Sequence, residues 1–150
     1  MTTEKILDYI AGIMKIGFGI RGFEILGVGK IITSENSMII TDKRIIFVTV
    51  PLPGAEITIS GVDIPMWQWL IAKKDIENKL KEMINSMSVK EIISSNSKNF
   101  YIDYGEIEKI KFGKFSRNIE IIKHNRKRLK YSIRDKEDFE KVKSILKDFS

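Results

Sequence analysis

The sequence has no cysteine, three prolines and a single histidine. Without cysteine there is no disulfide framework, no thiolate nucleophile and no Cys-based metal site. His124 alone excludes a His-rich metal site, and no carboxylate nearby in sequence pairs with it as a triad would need, so it reads as a turn residue. Long apolar runs are missing as well. The longest uncharged run, Ile45–Ala55, falls well short of the ~20 residues of a membrane span and holds Pro51 and Pro53. Asp8 and Lys15 break the apolar start, so no secretory signal is expected. What remains is globular: with 43% apolar and 31% charged residues, 150 residues suit one ordinary domain over 1–150. The expectation is a soluble, cytoplasmic protein. Nothing in the sequence calls for a cofactor, a metal or a catalytic residue, and a non-enzymatic role is expected.

Charge is unevenly placed. Residues 1–104 carry 12 basic and 12 acidic side chains, whereas residues 105–150 carry 14 and 8, so the whole net charge of +6 lies in the last third. Because screening limits its reach to about 10 Å, an anionic partner would feel that third and not the chain as a whole.

Residues 4–32 are apolar and rich in glycine, which favours twisted or bulged strands, although Thr3–Ala11 also suits a short helix. Met38-Ile39-Ile40 and Ile45–Val50 read as two strands around the turn Thr41–Arg44, in which Asp42 can bond its own backbone two residues on. A short third strand is expected at Ile57–Ile59. From Pro65 the period changes. Trp69, Ile76, Leu80, Met83, Ile84 and Met87 recur at threes, fours and sevens, predicting an amphipathic helix of about 22 residues with Asp63 as N-cap. Ser88–Glu91 has capping-box spacing and starts a second, short helix through Ile93. Strands follow at 100–104, 107–112, 119–123 and 128–133, the last with Leu129, Tyr131 and Ile133 alternating inward. A closing helix over about 136–149 has Asp135 as N-cap and Phe139, Val142, Leu146 and Phe149 as its apolar stripe.

Two glycine motifs need weighing. Gly17–Gly22 fits G-x-G-x-x-G, but a dinucleotide site needs a helix to start at the last glycine, and a strand-like stretch follows instead. Gly29-Lys30 lacks the Ser/Thr of a P-loop. Both read as bends. Lys123-His124-Asn125-Arg126-Lys127-Arg128-Leu129-Lys130 holds five Lys/Arg in eight residues. On a hairpin these charges form either a solvated, aggregation-blocking edge or a contact for phosphates. Trp67, Trp69, Lys73 and Lys74 have the composition of a membrane-interface anchor, and equally of a helix packed on the body or on a second copy. The two indoles lie about 200° apart around a helix, so they do not share one direction. Glu106 and Glu108, beside Lys109 and Lys111, read as a solvated salt-bridge ladder and not as acid–base catalysts.

The order of elements resembles the pleckstrin-homology-like (PH-like) superfamily in its prokaryotic and GRAM-related branches. Met38–Val48 (MIITDKRIIFV) resembles the GRAM-type strand-turn-strand signature, and Ser88–Phe112 resembles the short helix, polar loop and strand pair of archaeal and bacterial PH-like domains. The final hairpin and helix stand where such folds place the helix that plugs the barrel. The resemblance covers most of residues 36–150 and implies an α+β, mainly β fold. The resemblance further implies a PH-like β-barrel of about seven strands with a C-terminal capping helix, and makes the helical segment at about 63–93 an insertion. Phosphoinositide recognition in eukaryotic relatives leans on a basic first loop, where this chain has only Lys15, Arg21 and Lys30.

Three functional expectations follow. The first is a module that docks on an anionic membrane surface or an acidic protein partner through Lys123, Arg126, Lys127, Arg128 and Lys130, peripheral to the inner face of the membrane. Trp67, Trp69, Lys73 and Lys74 would be a further membrane or partner contact. The second is a scaffold that forms a homodimer through the inserted helix at Leu80 and Met83 and binds no lipid. The third is nucleic-acid binding by the same hairpin, which lacks an aromatic platform because Tyr131 is expected to face inward.

Overall fold

The computed structural model describes residues 4–16, 36–50, 66–113, 115, 117–133 and 135–149, with backbone only at 14–16, 66–70 and 72. The expected strand at Ile57–Ile59, both glycine motifs, Asp63 and Pro65 lie outside the described residues.

The fold is α+β and mainly β, with seven strands and three α-helices among the described residues. In chain order these are β1 (Ile6–Ile16), β2 (Asn36–Thr41), β3 (Arg44–Thr49), α1 (Met66–Ser86), α2 (Val89–Ser94), β4 (Phe100–Asp103), β5 (Ile107–Phe112), β6 (Asn118–Lys123), β7 (Arg128–Ser132) and α3 (Lys136–Leu146). Every pairing is antiparallel, in the order β4-β3-β2-β1-β7-β6-β5. Residues Ile6–Ala11, which also suited a short helix, are therefore part of a strand.

β1 joins a four-stranded and a three-stranded sheet. Its first part pairs with β2 from Ile6 to Ile13, and its end pairs with β7 from Met14 to Ile16. The register slips between Ile10 and Ile13, where Gly12 takes φ 69°. A side chain at that φ would be strained, so a glycine sits where the strand bends from one sheet to the other.

β2 and β3 are apolar without alternation because both of their faces are covered. Met38, Ile40, Ile45 and Phe47 face the main core, which α3 completes with Phe139, Val142 and Leu146. Ile39, Ile46 and Val48 face the other way, under Ile76 and Leu80 of α1 and Ile92 of α2. Helices α1 and α2 thus roof the outer face of the four-stranded sheet. Inside the main core Phe47 stacks between Tyr131 and Phe100, at 4.7 and 4.8 Å between ring centroids. Tyr131 faces inward as its alternation requires, and burial pushes its phenol well above the ordinary range.

Among the described residues the sheets do not close into a barrel. There β4 pairs only with β3 and β5 only with β6. α3 supplies the apolar cover that closure would otherwise provide, and beyond it Phe149 meets Tyr104 at 5.2 Å.

Local signals set the element ends. Ser88 Oγ accepts from the Glu91 N–H at 3.2 Å and Glu91 Oε1 accepts from the Ser88 N–H at 3.1 Å, the reciprocal cap of α2. Asp135 caps α3 by accepting from the N–H groups of Glu137 and Asp138. The β2–β3 turn differs from expectation. Thr41 Oγ1, not Asp42, accepts from the N–H groups of Lys43 and Arg44, each at 3.0 Å. Asp42 instead accepts from the Lys5 N–H at 3.0 Å and ties down the start of β1.

Candidate anionic-surface interface

β6 and β7 form a hairpin whose tip is locked by its backbone. The Lys123 N–H donates to Lys127 O and the Arg126 N–H to Lys123 O, both at 2.9 Å, while Asn125 Oδ1 accepts from the Lys127 N–H at 3.0 Å. Arg126 sits at φ 70°, in the left-handed region. The His124 N–H reaches Glu106 O at 3.0 Å, which anchors the tip to the turn before β5. His124 is an exposed turn residue, as expected.

The five basic residues expected here divide into two groups. Lys123 is half-buried and its Nζ lies 3.6 Å from Glu106 Oε1. Arg128, 59% exposed, reaches Glu120 at 3.4 Å. Arg126, Lys127 and Lys130 are exposed, and none of them forms an ion pair among the described residues.

The strand register adds two cations that the sequence reading placed in a ladder. Lys109, Ile122 and Arg128 lie side by side across β5, β6 and β7, and Lys111, Glu120 and Lys130 form the next outward row. Lys109 and Lys111 are exposed and form no ion pair among the described residues. The ladder fails because of a bulge. The register slips between Ile107 and Lys109, which lets both Ile107 and Ile110 face the core and takes Glu108 out of step. Two core isoleucines three apart in a strand were the available signal for it. The outer face therefore carries four cations around one carboxylate, with the unpaired tip at one end.

The other expected contact is rearranged. The side chains of Trp67 and Trp69 lie outside the described residues, and Lys74 is exposed. Lys73 is not a headgroup contact. Its side chain is 8% exposed and its Nζ bonds Asp138 Oδ2 and, at 3.2 Å, Asp135 Oδ2, with Glu77 at 3.8 Å. One lysine of α1 thus ties that helix to the N-terminus of α3. Burial alone would lower the Lys73 pKa, but the bonds and charges of Asp138 and Asp135 outweigh it and hold the ammonium above its ordinary range. Burial alone would raise Asp135, and the N–H of Asp138 with Lys73 outweighs it, leaving that carboxyl below its ordinary range.

A pH prediction follows from these directions. The raised lysine contributes stability that is complete below its unfolded pKa of 10.5 and lost as pH rises through the folded value. The lowered aspartate contributes stability that is complete above 3.8 and lost as pH falls through its folded value. Lys73→Met is expected to cost about 1–3 kcal/mol near neutral pH, because two carboxylates lose their shared cation. The gap should narrow in acid, where protonated carboxyls no longer need it. Urea unfolding at neutral and acid pH measures this; a variant as stable as the parent at neutral pH would contradict it.

Leu80 is 0% exposed, packed in its own chain against the four-stranded sheet, and Met83 packs half-buried beside it. A buried Leu80 is not a surface for a second copy, which corrects its assignment as a self-association contact. No helix among the described residues is long and apolar enough to cross a membrane. Comparison with protein-family models, curated proteins and solved structures returns no match, so the reading of this site rests on its own geometry.

Proposed function

We propose that the protein is a non-enzymatic, PH-like binding module that docks on an anionic membrane surface through its basic hairpin. The observation that carries this reading is the set of exposed cations Arg126, Lys127 and Lys130, none in an ion pair among the described residues, on one hydrogen-bonded hairpin. Like charges fixed in place repel one another unless an anion visits. A membrane rich in acidic headgroups offers about 1 kcal/mol for each basic residue near its surface.

The strand order, the bend at Gly12 and the closing helix support the PH-like part of the reading. The cytoplasmic leaflet, which holds the anionic lipids, is the surface it would meet. Co-sedimentation with vesicles at low salt tests the proposal. The protein should pellet with phosphatidylserine-containing vesicles and stay in solution with pure phosphatidylcholine. Equal recovery with both, or binding to an acidic polypeptide but to neither vesicle, counts against it.

A further inference from the structure

One apolar side chain stands apart from the rest of the surface. Phe115 is 102% exposed, in the loop that joins β5 to β6. Hydrogen bonds close that loop: the Gly113 N–H donates to Asn118 O at 2.9 Å and the Arg117 N–H to Gly113 O at 3.1 Å. The ring projects from that loop and belongs to no apolar cluster among the described residues. Lys114 and Arg117 flank it in sequence.

The loop and the basic tip sit at opposite ends of the same three-stranded sheet, because β5, β6 and β7 run up and down between them. The outward rows Lys109–Arg128 and Lys111–Lys130 lie between those ends. At about 3.3 Å per residue the strands hold the two ends roughly 20 Å apart. Ile122 points outward between Lys109 and Arg128 yet is only 9% exposed, as expected where long basic side chains lay their stems over a neighbour. The result is a largely cationic face with one bare aromatic ring in the loop at its end. An aromatic ring beside cations suits the headgroup layer of a bilayer, where apolar and charged groups are accommodated together.

Resting on the reading above, we infer that the whole outward face of β5–β7 lies on the anionic membrane, with Lys109 and Lys111 in contact and Phe115 inserted into the interfacial layer. The tip alone is then only one end of the docking surface.

The test uses the full chain and phosphatidylserine-containing vesicles at low salt. Lys109→Gln with Lys111→Gln should weaken partitioning roughly tenfold or more. Phe115→Ser should weaken it about tenfold, and its effect should persist as salt rises because it removes apolar burial and not charge. In Phe115→Trp, the emission added over that of the parent should shift to the blue when vesicles are present. All three positions are exposed, so thermal melts should match the parent. If these variants bind like the parent while Arg126→Asn with Lys127→Ser does not, the whole-face inference falls and the hairpin reading stands. If the parent binds no vesicle, both fall.

Discussion

Leu80→Asp is expected to unfold the protein at any concentration. Leu80 is fully buried between α1 and the outer face of β2 and β3, among Ile39, Ile46, Val48 and Ile76. Removing a buried leucine side chain costs about 2–5 kcal/mol before any charge is considered. The new carboxylate would lie in an apolar layer with no cation to meet it, which adds several kcal/mol or forces the layer open. A domain of this size has about 5–15 kcal/mol in total, so the native population should collapse. Far-UV circular dichroism through a urea titration reads the effect, and repeating it across protein concentrations separates unfolding from loss of a dimer. A native-like transition in the variant would show that α1 does not roof the sheet. Met87→Asp, just past the end of that helix and exposed, should be nearly neutral.

The second large effect is on binding. Replacing Arg126 by Asn, Lys127 by Ser, and Arg128 and Lys130 by Gln should lower affinity for anionic vesicles at low salt about a hundredfold or more. Four basic residues at about 1 kcal/mol each give an upper estimate near 4 kcal/mol. Arg128 contributes less than its share, because Glu120 already holds it in the free protein. Asn suits position 126 because that residue sits at positive φ, where Asn is tolerated better than most side chains. The four side chains are exposed, so the melt should stay within about 1 kcal/mol of the parent. Unchanged affinity in a folded variant would remove the hairpin from the account.

The parts of the fold that rest on neighbours in sequence were legible. The Ser88–Glu91 cap, the Asp135 cap, the α3 stripe and the inward alternation ending at Tyr131 all depend on residues a few positions apart. β2 and β3 were legible as strands from β-branched runs, and their missing alternation is explained by cover on both faces. What depends on distant pairing was not legible. Lys73 looks like a snorkelling lysine beside two tryptophans, yet its hydrogen-bond partners lie 62 and 65 residues away at the start of α3. Leu80 belongs to an amphipathic stripe whatever it packs on, and only the sheet beneath it decides between a roof and a dimer surface.

The candidate site shows the same division. A run of basic residues around a turn marks Lys123–Lys130 directly. Whether each cation is unpaired depends on cross-strand carboxylates, and Glu106 and Glu120 remove Lys123 and partly Arg128 from the free set. Lys109 and Lys111 join the face only because the bulge before Lys109 resets the register of β5. Strict alternation from Ile107 would have put Lys109 inward.

The central claim is that fixed, unpaired cations on β5–β7 meet an anionic membrane. Its most direct test is the affinity of the unaltered protein for phosphatidylserine-containing vesicles, measured from low to physiological salt. Binding should be strong at low salt and fall steeply as screening shortens the reach of each charge, with a small salt-resistant remainder from Phe115. Binding that ignores salt, or none at all, would contradict it.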